Sequence, residues 1–182
     1  AYIVCTRFHT IDQVLMRMMK DSDNLSAEAM FYQIAAADGR RPARASHARS
    51  FIRRMIGRAG LDGNSYKIAD GSGLSLYNYV SAELEVRLLR YAYRNTDIYL
   101  HLLPSLPIAG QDGTLAKRMH GSFTDGNVKA KTGTLTGISS LAGYCTAANG
   151  HLLCFAIINQ GVMHGRNGRA FQDRVCSALC EP

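Results

Sequence analysis

Near Val128 the hydrophobic pattern of this 182-residue chain changes its period, which restricts the chain to one fold class. Before Val128, apolar residues recur at i, i+3, i+4 and i+7, as in amphipathic helices; after it, apolar and β-branched residues run together as in strands. Asn149-Gly150 is the strongest short hairpin signal and separates two such runs, Ser139–Ala148 and His151–Asn159. The sequence therefore predicts an α+β fold, with helices followed by an antiparallel sheet.

Six helices are predicted from this periodicity and from residues that favour helix ends. Thr10, Ser46 and Ser81 are candidate N-caps, because their hydroxyls can accept a hydrogen bond from the first helical turn. Gly39 and Gly60 are candidate stops. The expected helices cover about 11–19, 25–38, 46–59, 82–94, 97–103 and 168–179, and short strands are expected at 2–6 and 66–69. The helical part thus covers about 10–118, and the sheet with its closing helix about 127–180.

The hairpin also predicts a register. A two-residue turn at Asn149-Gly150 pairs residues whose numbers sum to 299, so Cys145 is expected opposite Cys154. A disulfide at such a position would be strained, so proximity is predicted and oxidation is left open. The second strand of the hairpin is apolar on both faces, which is typical of a sheet covered by helices. The closing helix has one apolar side, formed by Phe171, Val175, Ala178 and Leu179.

Composition sets limits on the class of protein. A hydrophobic content of 47% and a charged content of 19% are ordinary for one globular core, and the longest apolar run, 152–158, is much shorter than a membrane span. The five cysteines and six histidines show no metal-ligand spacing, so no metal or cofactor is predicted. The chain begins with Ala1 instead of methionine, so an exported protein is compatible with it.

The net charge of +7 comes largely from arginines, seven of which lie between Arg40 and Arg58. A solvated basic helix face is the first interpretation. Attraction to an anionic cell-envelope polymer or lipid surface is the second, and nucleic acid is a distant third because no nucleic-acid motif accompanies the cluster. No nucleic-acid partner is therefore predicted.

Two short motifs carry the chemistry. Lys131-Thr132-Gly133 opens a predicted strand and combines a positive charge, a hydroxyl and a residue without a side chain. Ser22-Asp23-Asn24 lies 109 residues earlier, between two predicted helices. S-D-N and K-T-G, together with S-x-x-K, are the signature of class A β-lactamases and penicillin-binding proteins. No serine of this chain has lysine three residues later, so S-x-x-K is absent.

Four ordered stretches resemble the C-terminal part of a class C penicillin-binding protein, the serine D-alanyl-D-alanine carboxypeptidase/endopeptidase family of the penicillin-binding protein 4 type. They are S-D-N at 22–24, D-G-S-G-L-S-L-Y-N at 70–78, L-P-I-A-G-Q-D-G-T-L at 106–115 and K-A-K-T-G-T-L at 129–135. The resemblance implies a β-lactamase/transpeptidase-like antiparallel sheet flanked by helices. It also implies that residues 1–182 are the C-terminal portion of a single peptidase domain whose nucleophile precedes Ala1.

The resemblance implies a role for each motif residue. Ser22 would be a proton shuttle, and Asn24 would bind the peptide group of the substrate. Lys131 would orient Ser22 and attract the terminal carboxylate, Thr132 would bind that carboxylate, and the backbone N–H of Thr134 would form half of the oxyanion hole. Gly133 would let the substrate approach the strand, whereas Asp23 would be structural, as would the turns around Asp70 and Asp112.

The function implied is a serine-type D-Ala-D-Ala carboxypeptidase/endopeptidase that acts on peptidoglycan stem peptides through an acyl-enzyme. β-Lactams would inhibit the complete enzyme, its own N-terminal portion is a possible partner, and the location would be periplasmic or in the cell envelope. Two alternatives stay open. The missing S-x-x-K favours a non-catalytic module that binds peptidoglycan or a partner. A class A β-lactamase would need Glu-x-x-x-Asn, and no glutamate here has asparagine four residues later.

Overall fold

A computed structural model describes residues 2–37, 39 and 41–182. Within them the chain forms six α-helices and a three-stranded antiparallel sheet of order β1-β2-β3. The helices are α1 (Ile11–Lys20), α2 (Asn24–Ala37), α3 (Ala45–Arg58), α4 (Ala82–Arg94), α5 (Thr96–Ser105) and α6 (Gly165–Cys180). The strands are β1 (Lys129–Leu135), β2 (Ile138–Thr146) and β3 (Leu152–Gln160). The predicted α+β class is confirmed; the predicted helix end at Asp38 and Arg40 of the basic cluster lie outside the described residues.

The sheet is covered on both faces, which explains its continuous apolar sequence. Helix α6 packs against β2 on one face, and α4 packs against β3 and β2 on the other. Every residue of β2 from Leu141 to Cys145 is buried. The main core lies between the sheet and α6, and a smaller one joins α2 to α3 around Phe31, Ala35 and Ala48.

The helix starts agree with the predicted caps in two of three cases. The Thr10 hydroxyl accepts from Gln13 N–H, and the Gln13 side chain accepts from Thr10 N–H, which completes a capping box for α1. The Ser81 hydroxyl accepts from Leu84 N–H at the start of α4. The prediction for Ser46 is wrong: α3 begins at Ala45, and its N-cap, Arg44, makes no capping bond. Burial of alanines against α2 stabilises this turn instead.

The two short predicted strands do not form. Residues 2–6 belong to no strand, and Tyr2, Ile3 and Val4 expose between 86% and 99% of their surface. Residues 66–69 contribute only one bridge, between Lys67 and Tyr79. A strand needs a partner for its backbone groups, and local composition could not indicate whether one is present.

The hairpin forms where predicted, but its register differs by one. Tyr144 lies opposite Cys154 and Cys145 opposite Leu153. The turn has three residues instead of two: Ala147 N–H donates to His151 O, and Gly150 takes a φ of 81° in the left-handed region. Because one residue of slip reverses the face of a strand, Cys145 points towards α6 and Cys154 shares the face of Tyr144. The predicted register, with Cys145 directly opposite Cys154, is therefore wrong.

The buried side of α6 also differs from the prediction. Gly168, Gln172, Cys176 and Cys180 face the core, whereas Phe171 is exposed. Gln172 can be buried because its amide donates to Ser139 Oγ and Asn159 Oδ1, each at 3.0 Å. Gly168 allows close approach, since a Cβ there would lie 2.9 Å from Ser139 Cβ.

One further helix prediction needs adjustment and one agrees with the structure. Helix α5 continues to Ser105 through Pro104, beyond the predicted end at Leu103. On α3, the outer arginines Arg53 and Arg58 are exposed, as expected of a solvated basic face.

Candidate active site

The two motif residues that are 109 positions apart meet directly. Lys131 Nζ donates to Ser22 Oγ at 2.7 Å and to the carbonyl oxygen of Thr132 at 2.7 Å. The predicted proximity of these two groups is confirmed. A neutral hydroxyl and an ammonium in contact form a unit through which one proton can pass.

Ser22 is presented by a strained connection between α1 and α2. It has a φ of 56°, in the left-handed region that costs a residue with a Cβ about 1–2 kcal/mol. Such strain is common at functional sites, where surrounding structure holds it in place. The sequence placed Ser22 and Asn24 together on the connection, but Asn24 is the first residue of α2 and is exposed there.

Asp23 has the structural role expected of it. Its Oδ2 accepts from Ser26 N–H at 2.8 Å and from the Ser26 hydroxyl at 2.5 Å, which caps the first turn of α2. The bond from the Ser26 hydroxyl, then the Ser26 N–H, lowers the pKa of the Asp23 carboxyl, and the Arg17 guanidinium 3.6 Å away adds to this. The cap fixes the direction in which α2 leaves Ser22.

A salt bridge between Lys20 and Asp112 holds the connection between α1 and α2 against the loop at 106–115. The sequence did not reveal this pair. Lys20, whose side chain is 11% exposed, donates to Asp112 Oδ2 at 2.6 Å, and Asp112 Oδ1 accepts from Ile108 N–H at 2.8 Å. Gly113 has a φ of 54°, and a Cβ there would lie 2.8 Å from Lys20 O. The family-like loop therefore supports the backbone two residues before Ser22.

The D-G-S-G-L-S segment has a similar supporting role. Asp70 accepts from the backbone N–H groups of Gly73 and Ser75 at 2.7 and 2.8 Å. Glu28 of α2 accepts from Gly71 and Ser72 N–H, each at 3.0 Å. These bonds fix the segment against the first two turns of α2, next to the S-D-N triplet.

Strand β1 offers an open edge beside Ser22. Ala130 N–H points away from β2 and donates to Pro107 O at 2.9 Å. Because backbone groups alternate along a strand, Thr132 and Thr134 N–H also point away from β2. The Thr134 N–H is thus directed outward, as an oxyanion donor must be.

The position of Gly133 in β1 has no room for a side chain. A Cβ at this position would overlap the hydroxyl of Ser140, its partner on β2. Glycine therefore lets the edge strand pair closely with β2.

Burial changes the chemistry of the lysine. Desolvation lowers the pKa of Lys131 from its usual 10.5. The ammonium therefore gives up its proton more readily than a lysine in water.

A pocket of about 270 Å³ adjoins the K-T-G strand and contains residues that the motifs did not indicate. Thr132 Oγ donates to Thr114 Oγ at 2.9 Å inside it. Thr114 belongs to the 106–115 stretch, so only that stretch could have signalled it. The pocket is lined by Thr114, Arg118, Thr132, Gly133, Thr134, Ser139, Ser140 and Arg169.

No group of three or more histidine, cysteine, aspartate or glutamate side chains in residues 2–37, 39 and 41–182 could hold a metal ion. None of the helices described in those ranges combines the length and apolar character needed to cross a bilayer.

The chain is similar in sequence to a known family of peptidases. Residues 6–179 match the model of the D-Ala-D-Ala carboxypeptidase 3 (S13) family. The chain is 35% identical over 159 residues to D-alanyl-D-alanine carboxypeptidase DacB of Haemophilus influenzae, covering 85% of this chain and 33% of that protein. It thus spans about a third of the length of the curated relatives it matches.

Solved structures share the fold. Penicillin binding protein 4 (dacB) of Haemophilus influenzae, in complex with a β-lactam, superimposes with a TM-score of 0.84 at 32% identity, over 93% of this chain and 41% of that one. The TLA-1 extended-spectrum β-lactamase matches at a TM-score of 0.69 and 19% identity, over 93% of this chain and 63% of its own, which shows a common fold alone. The predicted β-lactamase/transpeptidase-like class, seen here in its C-terminal portion, is confirmed.

Proposed function

Because this chain belongs to the D-Ala-D-Ala carboxypeptidase 3 (S13) family, we propose that it carries the proton-transfer and carboxylate-binding side of a serine peptidase site. The substrate would be the D-Ala-D-Ala end of peptidoglycan stem peptides, and the reaction would pass through an acyl-enzyme. The observation that supports this most strongly is the 2.7 Å contact between Lys131 Nζ and Ser22 Oγ.

Each residue has one task in the proposed reaction. A serine nucleophile attacks the carbonyl carbon of the penultimate D-Ala, and the oxyanion accepts from Thr134 N–H. Ser22 passes the proton released by the nucleophile to the leaving amine of the terminal D-Ala, while Lys131 orients its hydroxyl. Water then hydrolyses the ester and regenerates the serine.

Two further residues hold the peptide during these steps. Thr132 donates its hydroxyl to the terminal carboxylate, and Asn24 bonds the peptide group through its amide. The outward backbone of β1 is suited to lie beside an extended peptide, because the N–H groups of Thr132 and Thr134 face that side.

In this proposal the nucleophile comes from outside residues 1–182, since S-x-x-K is absent from them. We propose that this chain functions with its own N-terminal portion as one peptidase domain of a longer protein. The exposed apolar side chains of Tyr2, Ile3, Val4 and Phe8, 86–99% exposed, suit contact with that portion. The complete enzyme would be acylated by β-lactams and would work in the cell envelope.

The test is release of D-alanine from diacetyl-L-Lys-D-Ala-D-Ala by the longer protein that contains this chain. Ser22→Ala should lower kcat/KM by roughly 10²–10⁴, the range expected of a lost general acid–base group. Ser50→Ala, an exposed serine on α3, is the matched control and should not change it. Unchanged activity of Ser22→Ala would refute the proton-transfer role.

One alternative has an observation in its favour. The absence of S-x-x-K suits a non-catalytic module that binds peptidoglycan. That alternative predicts peptide binding with no release of D-alanine in the same assay.

A further inference from the structure

The pocket beside the K-T-G strand is lined mainly by hydroxyl groups and by two arginines. Its volume of about 270 Å³ lies between the second half of β1, the start of β2 and the first turns of α6. Thr114, Thr132 and Thr134 contribute hydroxyls, and Arg118 and Arg169 contribute the positive charge. Hydroxyl donors together with guanidinium groups are suited to an anion.

The two arginines differ in how they are already used. Arg118 Nε and Nη2 donate to Asp173 Oδ1 at 3.1 and 2.6 Å, and Nη2 also donates to Gln172 Oε1 at 3.1 Å. The Arg118 side chain is only 11% exposed. Its charge is therefore balanced by Asp173, and its bonds fix α6 against the loop that follows Thr114.

Arg169 has no such balance. In the part of the chain that the structure describes, no carboxylate lies within ion-pair distance of it, and its side chain is exposed. Its guanidinium extends back across the first turn of α6, where Nη1 would lie 3.3 Å from a Cβ on Gly165. One uncompensated positive charge on the wall of a small hydroxyl-lined pocket matches a monoanion.

The position of the pocket indicates which monoanion. It shares Thr132, Gly133 and Thr134 with the strand edge along which the substrate peptide would lie. The hydroxyl of Thr132 is oriented into this pocket, towards Thr114. A peptide whose scissile carbonyl lies at Thr134 N–H would end within one residue of this point, since a residue in an extended chain spans about 3.3 Å.

We propose that Arg169 binds the C-terminal carboxylate of the substrate, with the hydroxyls of Thr132 and Thr114 completing the site. Arg118 is a positioning residue, because it acts by holding α6 through Asp173. The inference rests on the proposed function and adds to it the group that selects a free carboxylate, that is, a carboxypeptidase substrate. The planar guanidinium can donate two parallel hydrogen bonds to a carboxylate, which lysine cannot.

The test measures binding to the 182-residue chain by two-dimensional NMR, with N-acetyl-D-Ala-D-Ala and its C-terminal amide as probes. The acid should shift the amide resonances of Thr132 to Thr134 and the Nε–Hε resonance of Arg169. It should bind roughly tenfold more tightly than the amide, as expected for a hydrogen bond to a charged group. R169Q should remove that preference, R169K should keep part of it, and R174Q, an exposed arginine outside the pocket, should keep all of it.

Each contrary outcome has a definite meaning. If R169Q keeps the preference of the wild type, or if the acid does not perturb this pocket, the carboxylate site is refuted. N-acetyl-L-Ala-L-Ala serves as the stereochemical control. If it binds with the same affinity as N-acetyl-D-Ala-D-Ala and with the same dependence on Arg169, the carboxylate site is supported and the proposed selectivity for D-Ala-D-Ala is refuted.

Discussion

The partly buried salt bridge between Lys20 and Asp112 gives the most direct test of how Ser22 is held. Asp112→Asn keeps the shape of the side chain and can still accept from Ile108 N–H through Oδ1. It removes the negative charge 2.6 Å from Lys20 Nζ and can place an NH₂ donor there instead. The ammonium would then lose its only carboxylate partner among the described residues.

The exposure of the two side chains sets the magnitude. Lys20 is 11% exposed and Asp112 40% exposed, so the pair is neither fully buried nor on the open surface. Exposed pairs contribute about 0.2–1 kcal/mol, and removing one partner of a fully buried pair costs about 3–5 kcal/mol. An intermediate loss of about 2 kcal/mol in the free energy of unfolding is expected, which lowers the Tm by roughly 4–8 °C in a chain of this size.

The assay is urea unfolding followed by far-UV circular dichroism, with the amide shift of Ser22 recorded in parallel by NMR. Glu83→Gln is the matched control. It removes a carboxylate from an exposed i,i+4 pair with Arg87, 3.4 Å apart, and should cost no more than about 0.5 kcal/mol. Equal stabilities of Asp112→Asn and Glu83→Gln, or an unmoved Ser22 amide resonance in Asp112→Asn, would refute the role of this salt bridge.

Three further predictions concern the site and the core. Ser22→Gly should unfold with a free energy about 1 kcal/mol above that of Ser22→Ala, because glycine tolerates positive φ; equal stabilities in urea would contradict the strain at this position. The ¹³Cε resonance of Lys131 should titrate with a midpoint below pH 10.5, because burial lowers the pKa of this lysine. The unfolded chain holds the proton more tightly than the folded chain, so the free energy of unfolding should rise with pH between the lowered pKa and 10.5. A midpoint at or above pH 10.5 would show that Lys131 is not desolvated. Iodoacetamide should modify the exposed Cys5 of the native chain and spare Cys145 and Cys176, because burial raises the pKa of each of these two thiols to about 12. Peptide mass mapping measures the modification of each cysteine. Alkylation of Cys145 or Cys176 at the rate of Cys5 would show that the core is open to solvent.

The sequence predicted those features that depend on local chemistry. Thr10 and Ser81 cap helices because a hydroxyl before an amphipathic run can accept from the first turn. The contact of Ser22 with Lys131 was predicted because two spaced motifs resembled one family, whose fold brings them together. Periodicity alone could not have paired residues so distant in sequence.

The features that the sequence missed depend on partners far along the chain or on one turn residue. With Gly150 in the left-handed conformation, the hairpin loop is one residue longer than predicted. The pairing of β2 with β3 therefore shifts by one residue, and the side chains of one strand lie on the opposite face of the sheet from the predicted one. Gln172 is buried because Ser139 and Asn159 accept its amide protons, which no pattern within α6 could indicate. Lys20 and Asp112 are 92 residues apart, so their pairing has no local signal.

The proposed division of labour between this chain and an external nucleophile is tested most directly by intact-mass spectrometry after incubation with benzylpenicillin. Residues 1–182 alone should gain no mass, because they lack S-x-x-K and Ser22 has no lysine at i+3. An oxyanion hole with one donor missing already loses about 3 kcal/mol of transition-state stabilisation, roughly a hundredfold in rate. A longer protein that contains this chain together with an S-x-x-K serine should gain one penicilloyl group on that serine. A stoichiometric adduct on the 182-residue chain by itself would place the nucleophile within it and contradict this account.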